Sequence, residues 1–109
     1  MSPMKFSASH LATSMRTYEG VTLSVVNGLI TQIESGQAAG ARPLSGVVIP
    51  GFVDIHCHGG GGYDLSVDPR AAKFHLRHGS TTLLASFISE PVTLIKEKIS
   101  RLKLGRNLI

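Results

Sequence analysis

Residues 50–62 read PGFVDIHCHGGGG, an apolar run opened by Pro-Gly, ended by two histidines one residue apart and followed by four glycines. A short apolar segment bounded by turn residues has the pattern of a buried parallel strand. Alternate side chains of a strand share a face. Phe52, Asp54, His56 and His58 are therefore expected on one side, and Val53, Ile55 and Cys57 on the other, packed beneath helices. Imidazoles at i and i+2 have their bases roughly 7 Å apart, so their rings can converge on one ion with Zn–N bonds of about 2.0–2.1 Å. Ligands in α/β sheets and barrels gather at the C-terminal ends of strands, where His56 and His58 fall. These two are the candidate metal ligands; the competing reading is an accidental spacing.

The neighbours of the pair extend the site. Gly59, Gly60, Gly61 and Gly62 form a candidate substrate loop, because glycine lets backbone approach a ligand closely and its N–H groups can face an anion. The alternative is a plain turn. Asp54 is either a carboxylate that orients a ligand or a polar plug between strands. Cys57, on the opposite face, reads as packing. His75 and His78 lie on an expected helix and read as surface or helix-end residues, whereas His10 has no assignment.

Outward from this stretch, VTLSVVNGLITQIESG (residues 21–36) alternates apolar and polar positions around Asn27-Gly28, the signature of a β-hairpin. Residues 1–18 show no period and carry no prediction. Ser35–Pro43 reads as a loop. Downstream, Asp68 is an expected helix cap with Pro69 in the first turn, and the helix should stop at Gly79. Thr81–Ile88 is a second buried-strand candidate, parallel to the first. Ser89 is expected to cap a second helix with Pro91 in its first turn, an apolar stripe of Ile95, Ile99 and Leu102, a Glu97–Arg101 pair, and Gly105 as its end.

Composition sets limits. The chain has 109 residues, 42% of them hydrophobic, and a formal charge of +4. That is enough for one modest core, and too little to close a (β/α)8 barrel of roughly 250 residues. The densest basic group, Lys96, Lys98, Arg101, Lys103 and Arg106, lacks interleaved aromatics. It reads as a solvated helix face, with no nucleic-acid partner expected. Cys57 is the single cysteine, so no internal disulfide is possible. No signal-like or membrane-spanning run is present, and a cytoplasmic location is the expectation.

Residues 50–60 also resemble the first barrel strand of the amidohydrolase superfamily. The run HGGGGYD (residues 58–64), with HLRHGSTTLLASFIS (residues 75–89) after it, is similar to the N-acetylglucosamine-6-phosphate deacetylase family. The resemblance extends from about Val21 to Leu104. It implies an α/β fold: residues 1–49 supply the N-terminal β-hairpin of a small β-sandwich, and residues 50–109 the first β-α-β-α units of a truncated TIM-type (β/α)8 barrel. It further implies a metal-dependent hydrolase that releases acetate from an amino-sugar phosphate, with His56 and His58 binding a divalent metal such as zinc. Such an ion activates water and the amide carbonyl, with an aspartate as base and acid.

The later metal ligands and the catalytic aspartate of that family have no counterpart in these 109 residues. Asp54, Asp64 and Asp68 do not replace the aspartate by position. No catalytic residue is therefore assigned, and the chain alone is expected to be inactive. Two alternatives stay open: an amidohydrolase acting on a cyclic amide, and a non-catalytic remnant or interaction module that self-associates through uncovered strands.

Overall fold

The computed structural model describes residues 2–104, and it divides into two units at Pro50/Gly51. The expected helix end at Gly105 and the basic residue Arg106 lie outside the described residues.

The first unit is a mixed four-stranded sheet. Its strands are β1 (Met4–Ala12), β2 (Thr17–Val26), β3 (Leu29–Ser35) and β4 (Arg42–Val48), in the spatial order β3-β2-β1-β4. The β2–β3 hairpin is the one expected from residues 21–36, and Asn27 and Gly28 both take positive φ (50° and 77°). Such a turn matches the right-handed twist of the strands it joins.

Two strands depart from the sequence reading. β1 and the start of β2 occupy residues that showed no period, and β4 begins inside the expected loop. Small residues explain the first miss: the buried side chains of β1 are Ser7, Ala8 and Leu11. Its turn also lacks Gly, Pro, Asn and Asp. Thr13 closes it instead, its Oγ1 accepting the N–H groups of Met15 and Arg16 at 3.2 Å. β4 pairs with β1 in parallel, through a register shift next to Gly46. Ala8, Leu11, Val21 and Leu23 form the core of this unit, with Phe6, Tyr18 and Val48 around them. Buried Thr22 is fully satisfied: its hydroxyl donates to the Gly36 carbonyl and accepts the Ala38 N–H, both at 2.8 Å.

The second unit contains β5 (Phe52–Cys57), β6 (Gly59–Gly60), β7 (Tyr63–Asp64), α1 (Arg70–Arg77), β8 (Ser80–Ala85) and α2 (Val92–Leu104). β5 and β8 pair in parallel, as the sequence predicted. β8 ends at Ala85, short of the expected Ile88. The glycine run forms a tight hairpin, β6–β7, with Gly61 and Gly62 at positive φ in its turn. Helix α1 starts as expected: Pro69 is helical (φ −67°), and the Asp68 carboxylate accepts the Arg70 N–H at 2.9 Å. Gly79 (φ 96°) follows its end.

Ser89 does not open α2. The first helical bonds run from the N–H groups of Leu94 and Ile95 to the Pro91 carbonyl, and the helix starts at Val92, two residues later than a Ser89 cap requires. Of its stripe, Ile95 and Leu102 are half-buried and Ile99 is exposed. Lys98 pairs with Glu90 at 2.6 Å, and Arg101 with Glu97. No helix among the described residues is long and apolar enough to cross a membrane.

The core of the second unit is small: Cys57, Leu65 and Ala71, with Ala72, Leu83 and Ala85 packed against it. Val53 and Ile55, expected beneath helices, are 63% and 74% exposed, and Phe52 on the other face is 55% exposed. α1 covers only the Cys57 end of β5, so both faces of the strand stay largely open. What is described is mixed α/β and strand-rich.

Two outcomes follow from these features. Expressed alone, the 109-residue chain should self-associate through the exposed Phe52, Val53 and Ile55. Sedimentation should then give a mass above 11.6 kDa that rises with concentration; a monomer with one sharp, reversible unfolding transition contradicts this. The second outcome concerns acid. Hydrogen bonds from Ser66 hold the Asp64 carboxyl below its ordinary value of 3.8, and those from Arg70 do the same for Asp68. A carboxyl depressed on folding contributes stability above its unfolded value, and the contribution is lost as pH falls through the folded value. The unfolding midpoint of the second unit should therefore drop below about pH 4. In the Asp64→Asn/Asp68→Asn double variant that drop should be shallower, and an unchanged acid limb counts against the assignment.

Candidate metal centre

β5 is not a uniform strand. Its pairing with β8 advances three residues from Asp54 to Cys57 while β8 advances two, from Leu83 to Ala85. One extra residue is thus accommodated at Ile55–His56, a bulge that lifts one backbone N–H out of the ladder. Asp54 compensates: its carboxylate accepts the His56 backbone N–H at 3.0 Å. The side chain expected to orient a ligand or plug the sheet grips the strand itself, two residues before the first histidine.

Beyond the bulge the two candidate ligands come together. The Nε2 atoms of His56 and His58 lie 3.1 Å apart, with ring centroids 5.1 Å apart and planes tilted by 59°. In this arrangement one Nε2 carries a proton and the other accepts it. The spacing also suits joint coordination. Two nitrogens on one tetrahedral zinc at 2.0–2.1 Å stand about 3.3 Å apart, by simple trigonometry. Both rings are exposed at the C-terminal end of β5. Among the described residues, no group of three or more His, Cys, Asp or Glu side chains is gathered closely enough to hold a metal by itself.

An open pocket of about 180 Å³ adjoins His58, lined by Asp64, Ser66, Ser86 and Ile88. The Asp64 carboxylate accepts the Ser66 N–H at 2.7 Å, and the Lys98 ammonium adds to the bonds from Ser66 that hold it below its ordinary value. The pocket therefore offers a carboxylate and two hydroxyl-bearing residues beside one imidazole. Neither Asp64 nor the serines stood out in the sequence. Asp64 sits directly across the hairpin from Gly59, a pairing that only the fold reveals.

The four glycines meet a structural demand before any chemical one. A Cβ at Gly60 would lie 2.6 Å from the His75 imidazole and 2.7 Å from the Phe74 ring, and one at Gly61 would be 2.7 Å from Phe74. The hairpin packs flat on α1, which leaves no room for side chains at these two positions. Arg70, paired with Asp68, covers the Tyr63 ring on the neighbouring strand at 4.3 Å.

Two further residues complete the neighbourhood. Cys57 is buried, 4% exposed, in keeping with a packing role. His75, expected at the surface or at the helix end, lies in the last turn of α1 but is half-buried and turned inward. Its Nε2 is 2.9 Å from the Gly59 carbonyl and 3.4 Å from the Cys57 sulfur. His78 does serve the helix end, its Nδ1–H donating to the Phe74 carbonyl at 2.8 Å.

No protein-family model matches the chain, and no curated protein does. Solved structures do. The crystal structure of N-acetyl-D-glucosamine-6-phosphate deacetylase from Mycobacterium smegmatis superposes with a TM-score of 0.82 at 30% identity, over 97% of this chain and 33% of that one. A variant of the same enzyme in complex with N-acetyl-D-glucosamine-6-phosphate gives 0.83 at 30% identity, over 100% and 31%. The chain thus spans about a third of the length of these enzymes, and over that third it is similar to the N-terminal portion of an N-acetylglucosamine-6-phosphate deacetylase.

Proposed function

We propose that this chain is the N-terminal part of a metal-dependent N-acetylglucosamine-6-phosphate deacetylase, in which β5 begins a TIM-type barrel and His56 and His58 supply two ligands to a divalent ion such as zinc. The observation that carries the reading is the 3.1 Å approach of the two Nε2 atoms at the C-terminal end of β5. The structural match to a deacetylase supports the reaction class, and the complex of that relative supports an amino-sugar phosphate as substrate.

The residues divide the work as follows. His56 and His58 would bind through Nε2, which requires the proton of each ring to sit on Nδ1. Asp54 holds the His56 backbone at the bulge and so sets the direction from which that ring reaches the ion. The hairpin seated on α1 walls one side of the pocket next to His58. Half-buried Ser86 lines the same pocket and suits the polar groups of a sugar, whereas buried Ser66 is bonded to Asp64. An ion held by the pair would polarise the amide carbonyl and bring the pKa of a bound water to about 7. Two imidazoles fall short of the three protein ligands of a catalytic zinc site, so the 109-residue chain by itself is inactive in this account.

The test uses the full natural protein that carries this sequence, dialysed and assayed for bound metal and for acetate release from N-acetylglucosamine 6-phosphate. His56→Ala and His58→Ala should each lose metal and lower kcat/KM by more than the 10–100-fold typical of residues that merely support a ligand. Undiminished metal content and turnover in both variants would remove the metal-centre reading. Hydrolysis of a cyclic amide in place of the acetylated sugar would redirect the substrate.

A further inference from the structure

His75 is the one described histidine turned into the second unit's interior, and neither the helix it lies on nor the metal pair accounts for its position. A carbonyl oxygen only accepts, so the 2.9 Å contact with Gly59 places a proton on His75 Nε2, which donates. That proton assignment leaves Nε2 unable to act as a base toward the Cys57 thiol 3.4 Å away. A thiol–imidazole nucleophile is therefore not what the geometry builds. The bond instead ties the last turn of α1 to the Gly59–Gly60 peptide, one peptide beyond the His58 carbonyl. A second bond holds the same junction: the Leu65 N–H donates to the His58 carbonyl at 2.8 Å. The glycine hairpin presses on the same ring, since a Cβ at Gly60 would stand 2.6 Å from His75 Nε2.

We propose that His75 is a positioning residue: through its Nε2–H···O=C bond to Gly59 it fixes the backbone that aims the His58 imidazole at the metal and substrate pocket. This rests on the metal-centre reading above. The geometry of its neighbours makes the claim specific. Among the described residues, exposed His58 has no hydrogen bond to its ring other than the contact with His56. Its orientation is therefore set by its own backbone, held at the following peptide by His75 and at its own carbonyl by Leu65. A side chain that only filled space between α1 and the hairpin would not need a donor at this atom.

Three variants of the full protein separate these roles. His75→Gln places an amide N–H near the Nε2 position and keeps a donor, His75→Leu keeps bulk without one, and His75→Ala removes both. Two readouts apply: cobalt(II) affinity with the visible spectrum of the bound ion, and hydrogen exchange of the Leu65 amide, with the Leu23 amide in the first unit as control. Leu and Ala should weaken cobalt binding about 10–100-fold and speed Leu65 exchange roughly fivefold, leaving Leu23 unchanged. Gln should restore both. Wild-type behaviour in His75→Leu, or equal loss in Leu and Gln, overturns the proposal. If His75→Leu unfolds the second unit outright, His75→Gln decides, with restored protection supporting the proposal and lost protection overturning it. If the wild type binds no cobalt, the metal-centre reading fails, and the exchange comparison alone settles whether His75 holds this junction.

Discussion

The parallel pairing of β5 with β8 is the constraint on which the second unit depends. Two parallel strands cannot be joined by a tight turn, so the chain must travel back along the outside before it can pair. The glycine hairpin and α1 are that return path. Once the strands lie side by side, their C-terminal ends meet: the Ser86 N–H donates to the Cys57 carbonyl at 2.9 Å. That closure brings His58, Ser66 and Ser86 to the rim of one pocket. The small core of Cys57, Leu65 and Ala71 sits at the same end. The best-packed part of the unit therefore lies directly behind the two histidines, while the opposite end of β5 is open.

The candidate site is built by backbone devices more than by side-chain contacts to the imidazoles. A bulge at Ile55–His56 resets the strand, Asp54 satisfies the amide the bulge frees, and His75 and Leu65 clamp the junction beyond His58. Each device answers a local hydrogen-bonding demand, since a backbone polar group left unpaired is costly wherever water is excluded. Together they bring the Nε2 atoms of two exposed rings, two residues apart at the end of β5, within 3.1 Å of each other. The exposure of Val53 and Ile55 follows from the same arrangement, because α1 is committed to the Cys57 end.

Much of this was legible in the sequence where the signal is local. Asn27-Gly28 announces a turn needing positive φ, Asp68-Pro69 announces a helix start, and the apolar run before His56 announces a strand; all three stand. β1 was not legible because Ser7 and Ala8 are buried without being strongly apolar, and because a threonine closes its turn where glycine or asparagine is the usual marker. β4 was hidden by Pro43, which read as the end of a loop, although on the sheet's edge a proline is tolerated. The inward bond of His75 was not legible for a different reason. Its partner is a main-chain carbonyl 16 residues away, and no spacing rule reports a bond to backbone. The four glycines were read as a substrate loop or a plain turn; what the sequence did not show is that Gly60 and Gly61 lie against the rings of α1.

The proposed metal centre requires His56 and His58 to converge on one ion through their Nε2 atoms. The most direct measurement is a crystal structure of the full natural protein grown with zinc, with anomalous data collected on both sides of the zinc absorption edge. An ion held by the pair should give a single edge-dependent peak about 2.0–2.1 Å from both Nε2 atoms, with Asp54 still bonded to the His56 backbone. No peak at the pair, with the two rings hydrogen-bonded to each other or to water, would contradict it.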